Sequence, residues 1–260
     1  MGQVSARRVK IPYGDHASTF GHLYLPDAAD LGDAPAPVVV MVHGGYWSTD
    51  YSLVVYTGVA RMLARRGVVV WNIEYRRVGE PGGGWPTTGR DVVDAIGALD
   101  GRVSEHIEAA GTVVDHAHAA IVGHSAGGQL AVYAAARLRG ATRRFAFPTV
   151  VAQSPVLDFT ETGGWDRPSV VELMGAPFAQ IPERYREASP STQEPFGSTV
   201  AVIHTVQDEA VPLEASRRYV DDALSRGQSA ALYEVADGGH DAFVDPRSAA
   251  TRQTLRVLGI

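Results

Sequence analysis

Cysteine is absent from all 260 residues of the chain. The protein therefore has no disulfide, no thiolate-bound metal and no cysteine nucleophile. The lack of cysteine suits a reducing compartment, and we expect a cytoplasmic protein.

An excess of positive charge and long apolar runs are missing as well. The formal net charge is −6, and the basic clusters are only short, scattered pairs such as Arg65-Arg66 and Arg143-Arg144. This excludes the basic surface that nucleic-acid binding needs. Residues 1–11 are polar, which argues against a secretory signal, and no apolar run approaches the roughly 20 residues of a membrane span. We expect a small-molecule substrate as partner, no nucleic acid and no membrane, and leave a homodimer open.

What is present is typical of a globular protein with a large core, with 45% hydrophobic and 20% charged residues. Short apolar runs alternate with helix-like periodic segments, which predicts βαβ units and a mostly parallel sheet. An antiparallel hairpin over residues 8–26 comes first. The further strands are predicted at 38–42, 68–73, 119–122, 147–153, 200–204 and 230–235. The pattern predicts an α/β fold of about eight strands with helices on both faces.

Helices are predicted at 53–66, closed by Gly67, and from Thr87 or Thr88, either of which would cap the helix. Further helices follow at 104–110, 130–139, 213–225 and 247–258. Residues 156–195 break the rhythm with five prolines and the exposed-looking aromatics Phe159, Trp165 and Phe178. We interpret 156–195 as a small cap insertion within one domain, 1–260.

The most informative stretch joins a predicted strand to a predicted helix through Gly123-His124-Ser125-Ala126-Gly127. In a turn this sharp, the serine adopts a strained backbone conformation, and side chains at the glycines would collide with neighbouring elements. The turn would present the Ser125 hydroxyl above the sheet edge, near the amide of Ala126. A structural Gly/Ser turn is the alternative.

A second glycine motif, His43-Gly44-Gly45-Tyr46-Trp47, follows the buried strand at 38–42. Two glycines here let backbone N–H groups point outward, where they can bind an oxyanion. Taken alone, the motif favours a tight turn followed by packed aromatics. Its pairing with the serine turn favours an oxyanion hole built from Gly44, Gly45, Tyr46 and Ala126.

A serine needs a base to take its proton, and the base needs a carboxylate to orient it. Among nine histidines, His240 follows the last strand on a glycine-rich loop, whereas His43 and His124 lie inside motifs and His204 lies at a strand end. Asp208 follows a buried strand, which favours it over Asp158 and Asp237. Ser125, Asp208 and His240 then stand in the chain order of an α/β-hydrolase triad.

The predicted chemistry is acyl transfer from an ester or amide to water, with no metal and no organic cofactor. His116 and His118 are interpreted as loop residues. Five side chains are predicted to contact the substrate: Tyr46, Trp47, His124, Trp165 and Phe243.

These motifs resemble the esterase/lipase branch of the α/β hydrolases and, through Tyr46-Trp47, the arylformamidases and small bacterial carboxylesterases. The resemblance spans about residues 37–246. It also includes the segments at 72–76, 84–86, 189–190, 208–212 and 239–246. It implies the same nucleophile, acid and base, and a structural pair of Arg76 with Asp91. Tyr46 replaces a third glycine of the lipase pattern, and Thr205 stands where many relatives have glycine.

Three functions fit these features. The first is a serine hydrolase for a small ester or an N-formyl or aryl amide. The second is a small-peptide or aminoacyl amidase of the prolyl-oligopeptidase type. The third is a non-catalytic binding module on a hydrolase scaffold, which would not need all three groups of a triad.

Overall fold

The computed structural model describes residues 7–27, 31, 34–161 and 164–260. Within them, eight strands form one sheet in the order β1-β2-β4-β3-β5-β6-β7-β8. The first two strands form an antiparallel hairpin, β2 pairs antiparallel with β4, and the remaining pairs are parallel. The predicted α/β-hydrolase fold is confirmed.

The strands are Arg7–Pro12 (β1), Phe20–Leu25 (β2), Val38–Val42 (β3), Val69–Ile73 (β4), Ala120–His124 (β5), Thr149–Gln153 (β6), Thr199–Thr205 (β7) and Ala230–Val235 (β8). The α-helices are Thr57–Ala64 (α1), Thr87–Gly97 (α2), Arg102–Ala109 (α3), Ala126–Arg137 (α4), Pro168–Met174 (α5), Pro182–Ala188 (α6), Leu213–Ser225 (α7) and Ala249–Leu258 (α8).

The strand β3 shows why the apolar runs of the sequence are continuous rather than alternating. Its residues Val38, Val40 and Val42 belong to one hydrophobic cluster, whereas Val39 and Met41 belong to another. Successive side chains of a strand point to opposite faces, so helices cover both faces of the sheet. The first cluster includes side chains of α2, α4 and α7, and the second includes side chains of α1 and α8.

Several local predictions need correction. The segment predicted as one helix at 53–66 begins with a short 3-10 helix, Leu53–Tyr56, before α1. Pro86, not a threonine, occupies the position before α2, because the Thr88 hydroxyl donates to the Arg76 carbonyl (2.6 Å) instead. Strand β6 and helix α8 each begin two residues later than predicted.

The segment between β6 and β7 holds α5 and α6. Phe159, predicted to be exposed, is fully buried and meets the Trp47 ring edge-on, with ring centroids 5.6 Å apart. No helix in the described part of the chain has the length and apolarity needed to span a bilayer.

Candidate active site

Ser125 joins β5 to α4 in a strained backbone conformation, with φ 53° and ψ −118°. A Cβ atom at Gly123 would lie 2.1 Å from the carbonyl oxygen of Gly127, and one at Gly127 would lie 2.1 Å from that of Val42. Only glycine fits at either position, since the atoms that a Cβ would meet belong to the backbones of helix α4 and strand β3. The geometry of the serine turn therefore follows from its flanking glycines.

Three residues that are far apart in sequence meet at the carboxyl edge of the sheet. The Oγ atom of Ser125 lies 2.9 Å from Nε2 of His240, and Nδ1 of His240 lies 2.8 Å from Oδ2 of Asp208. Both distances are within hydrogen-bonding range. The arrangement has the geometry of a nucleophile, a base and the carboxylate that orients the base.

Asp208 is held on both of its oxygens. Its Oδ1 accepts hydrogen bonds from the amides of Ala210 (2.9 Å) and Val211 (2.8 Å), while Oδ2 faces His240. Burial by itself would raise the pKa of Asp208, but the hydrogen bonds from His240 and Val211 outweigh it and hold the pKa well below its ordinary value. The carboxylate is therefore ionised wherever the protein is folded near neutral pH.

The rival carboxylates lie elsewhere. Asp158 accepts hydrogen bonds from the amide and hydroxyl of Thr160 (2.6 and 2.7 Å), and Asp237 is exposed. The structure thus brings Asp208, and neither rival, to His240.

A second histidine, His204, lies beside Asp208 and was not singled out as part of the site from sequence. It is fully buried, its Nε2 donates to the carbonyl of Val211 (3.0 Å), and the same nitrogen lies 3.5 Å from Asp208 Oδ2. Its Nδ1 lies 2.8 Å from Ser216 Oγ. Burial lowers the pKa of His204, so the ring is neutral and anchors the turn that carries the acid.

Thr205, the departure from the family pattern, links two loops of the site. Its hydroxyl donates to the carbonyl of Gly239, the residue before His240, at 3.2 Å. A glycine could not make this bond, so the threonine here ties the end of β7 to the loop that carries the base.

The loop after β3 has the backbone that its glycines permit. Gly45 has a φ of 116°, and Tyr46 and Trp47 both lie in the left-handed region at 55° and 57°. Among the described residues, the amides of Gly45 and Tyr46 donate to no other group. Ala126 begins α4, so its amide is one of the first-turn N–H groups that lack a partner within the helix. The assignment of an oxyanion hole to Gly44, Gly45, Tyr46 and Ala126 stays a prediction.

The buried side chains of His43 and Glu74 form a pair that supports this loop. His43 Nδ1 lies 2.7 Å from the carbonyl oxygen of Gly44, and Nε2 lies 2.7 Å from Glu74 Oε1. The imidazole also stacks on Tyr75, with centroids 4.4 Å apart and planes within 11°. Burial would raise the pKa of Glu74, but His43 and Arg77 nearby lower it overall. His43 thus supports the loop, and the contact of Glu74 with His43 was not identified from sequence.

The side chain of His124 contacts the backbone of the base, His240. Nε2 of His124 donates to the carbonyl of His240 at 2.9 Å. Burial, together with the charge of His240, lowers the pKa of His124 to about 3. The ring is neutral at physiological pH and holds the His240 loop against the serine turn.

Two cavities lie beside Ser125, and both are bounded by Ser125, His240, Tyr46 and Ala210. The main chamber has a volume of about 310 Å³ and is lined further by Gly44, Gly45, Tyr51, Val55, His124, Asp241 and Val244. The slot has a volume of about 10 Å³ and is lined further by Trp47, Ala126, Val156, Arg167, Ser169 and Val211.

The aromatic residues predicted to contact the substrate differ in whether they line these cavities. Tyr46 is 48% exposed and borders both cavities, whereas Trp47 is buried and meets only the slot. Phe243 is fully buried behind His124, with ring centroids 5.5 Å apart, so its prediction as a substrate contact is wrong. Trp165 lies beside Phe178, with ring centroids 6.0 Å apart, and lines neither cavity. Long-range packing, which local sequence does not encode, decides these positions.

Within the described residues, one group of three has ligand-type atoms close enough for a metal: His124, His240 and Asp241, within 4.8 Å of one another. Both ring nitrogens of His240 already have hydrogen-bond partners. We assign this group no metal role. Nδ1 of His118 lies 2.8 Å from Oδ2 of Asp115, and the ring of His116 packs against that of Phe145, with centroids 4.5 Å apart.

The sheet, the strained serine turn and the residues gathered at its carboxyl edge define an α/β hydrolase of the esterase/lipase type. The BD-FAE family model matches residues 22–222, and the chain belongs to that family. The narrower resemblance to arylformamidases stays a prediction.

The chain is similar to an esterase over most of its length and to a peptidase over a short segment. The chain is 28% identical over 253 residues to esterase LipC of Mycobacterium tuberculosis, covering 90% of this chain and 59% of LipC. It is also 38% identical over 74 residues to dipeptidyl aminopeptidase BIII of Pseudoxanthomonas mexicana, a match that covers 26% of this chain and 10% of that enzyme. The chain thus spans only part of the length of either relative.

Solved structures support the fold. A truncated carbohydrate esterase from gut microbiota has a TM-score of 0.79 and 17% identity, with 98% of this chain and 96% of that chain covered. At this identity the likeness shows the fold alone.

Proposed function

We propose that the protein hydrolyses small carboxylic esters through an acyl-enzyme on Ser125. One observation carries the proposal: the continuous hydrogen-bonded series from Ser125 through His240 to Asp208. It opens on a cavity of about 310 Å³, a size typical of small-molecule sites. The BD-FAE family and esterase LipC support the ester class.

In the first half of the reaction, Ser125 Oγ attacks the ester carbonyl carbon while His240 Nε2 takes the hydroxyl proton. Ionised Asp208 stabilises the imidazolium that forms and keeps its orientation. The amide of Ala126 and one amide of the Gly45–Tyr46 pair would donate to the oxyanion. The carbon–oxygen bond then breaks, and His240 gives its proton to the departing alcohol.

In the second half, water attacks the acyl-enzyme. His240 takes a proton from the water, and the Ser125–carbon bond breaks. The serine recovers a proton from His240, and the carboxylic acid leaves. Each step uses only this chain's residues and water.

An N-formyl or aryl amide is the finer form of the proposal. The same groups would act on it, with His240 protonating an amine instead of an alcohol. The motif Tyr46-Trp47 supports this form by resemblance to arylformamidases. The short match to a dipeptidyl aminopeptidase similarly supports an aminoacyl amide as the alternative substrate.

A fluorophosphonate probe tests the nucleophile. We expect one adduct per chain on Ser125 and none in Ser125→Ala. Labelling at another residue, or no labelling of the folded protein, would contradict the serine mechanism.

A substrate panel then separates the forms. It compares 4-nitrophenyl acetate, N-formylkynurenine and alanine 4-nitroanilide under the same conditions. The highest kcat/KM on the nitrophenyl ester supports the ester form, and the highest value on the formyl or aminoacyl compound replaces it with the corresponding amide form.

A further inference from the structure

We infer that the enzyme accepts only very short acyl groups, formyl or acetyl, while its leaving group is as large as an aromatic ring. This inference rests on the proposed function and adds a substrate class to it. The two cavities beside Ser125 differ greatly in volume: the main chamber measures about 310 Å³ and the slot about 10 Å³. The smaller one holds about one water molecule, which is close to the size of one methyl group.

The slot cannot widen easily, because its walls are anchored. The indole of Trp47 is buried at 2% exposure, donates through Nε1 to Gln129 Oε1 (3.1 Å) and rests against Phe159. Val156 and Val211 are also buried, at 8% and 2% exposure. Close-packed interiors resist the insertion of added methylene groups.

The rim of the slot is fixed as well. Arg167 and Ala210 both line the slot, and the guanidinium of Arg167 donates through NH1 to the carbonyl of Ala210 at 3.1 Å. Tyr46 and Trp47 both have a positive φ, an unusual backbone for two successive residues with side chains. This backbone directs the Trp47 ring into the core, while Tyr46 is left exposed at the rim.

The order of the reaction assigns the two cavities. The acyl group stays bound to Ser125 during deacylation, and water must reach the carbonyl carbon from the other side. The main chamber is the more open of the two, so an alcohol that leaves through it makes room for that water. The slot therefore holds the acyl chain, and the main chamber holds the leaving group.

The main chamber fits an aromatic leaving group. Tyr46 and Tyr51 line it together with Val55 and Val244, and the Tyr46 and Tyr51 ring centroids lie 6.1 Å apart. Rings at this spacing can pack against a third ring.

The test varies each side of the ester separately. With 4-nitrophenol as leaving group, we expect kcat/KM to fall about 10-fold or more for each methylene beyond acetyl, the effect of one misfit methylene in a tight pocket. With acetyl held constant, we expect phenyl and 1-naphthyl esters to react at least as well as the methyl ester. A butyrate that reacts as fast as the acetate would overturn the inference.

Matched valine variants locate the effect. Val156→Ala enlarges the slot and should raise the butyrate-to-acetate ratio about 10-fold. Val244→Ala enlarges the main chamber and should leave that ratio unchanged. If Val244→Ala shifts the ratio and Val156→Ala does not, the assignment of the two cavities is wrong.

A binding measurement keeps this inference separate from the proposed function. In Ser125→Ala, calorimetric titration with phenyl acetate and phenyl butyrate reports fit without turnover. We expect the butyrate to bind about 10-fold more weakly, and an equal or higher affinity for butyrate overturns the inference. If wild-type protein hydrolyses no ester, the proposed function fails, whereas this titration still decides the size of the slot.

Discussion

The indole Nε1 of Trp47 donates a hydrogen bond of 3.1 Å to Oε1 of Gln129, and both residues are buried. Gln129 lies in α4, one turn after Ser125, and its amide nitrogen donates to the carbonyl of Ala188 at the end of α6 (2.8 Å). One glutamine thus connects the loop after β3, the helix that follows the nucleophile and the segment between β6 and β7.

Gln129→Leu should therefore destabilise the protein. It leaves the Trp47 N–H and the Ala188 carbonyl buried without partners, at a cost of about 1–3 kcal/mol for each group. We expect urea denaturation to show a free energy of unfolding lower by about 2 kcal/mol or more. Gln253→Leu, at a half-buried position on α8, is the control and should change stability by less than about 0.5 kcal/mol. Equal effects at both positions would show that the buried bonds contribute little.

Asp208→Asn should reduce kcat by about 10⁴-fold while the protein remains folded. An amide cannot stabilise the imidazolium, and it favours the wrong ring tautomer of His240. Asp237→Asn, on the exposed loop before His240, serves as the control with unchanged kcat. Steady-state kinetics on 4-nitrophenyl acetate measures both variants. If Asp208→Asn keeps more than a tenth of the wild-type kcat, Asp208 does not orient the base.

Gly44→Ala should impair catalysis. The added Cβ would lie 2.6 Å from the His124 carbonyl oxygen and 3.2 Å from Ser125 Cβ, so the loop must move away from the nucleophile. Loss of one oxyanion donor lowers kcat by about 10²–10³-fold, and we expect a loss in that range.

Gly97→Ala is the matched control for Gly44→Ala. A Cβ at Gly97 meets no atom within 4 Å, and the residue is helical. We expect normal kcat and a gain of about 0.5–1 kcal/mol in unfolding free energy. Normal activity in Gly44→Ala would remove the loop after β3 from the proposed oxyanion hole.

The stability should depend on pH through His124. Its pKa falls from an ordinary value of 6.5 to about 3 in the folded protein. Between these values the unfolded chain binds a proton at this residue that the folded chain does not. The free energy of unfolding therefore decreases as pH falls below 6.5, by up to ~1.4 kcal/mol per pH unit from this residue.

Urea denaturation between pH 6.5 and 5 measures this slope. The pKa values of Glu74 and Asp208 are lowered from ordinary values of 4.5 and 3.8, so their contributions are lost only at lower pH. His204, with its own lowered pKa, adds to the slope. His124→Gln should give a shallower slope than wild type, and an unchanged slope would show that His124 is not held neutral.

The sequence alone determined the features that depend on neighbouring residues. The parallel strands follow from short apolar runs buried on both faces, and the serine turn follows from glycines two residues on either side of Ser125. The chain order of Ser125, Asp208 and His240 on loops after parallel strands was enough to predict that they meet, because such loops share one edge of a sheet.

Tertiary structure alone decided how the site is supported and how large it is. Glu74 beneath His43, His204 beside Asp208 and the burial of Phe159 and Phe243 all depend on contacts between distant segments. The volumes of the two cavities beside Ser125 depend on the same packing. Apolar periodicity indicates that a residue is buried, but which neighbour it meets is set by the three-dimensional arrangement of strands and helices, and so is the space left for a substrate.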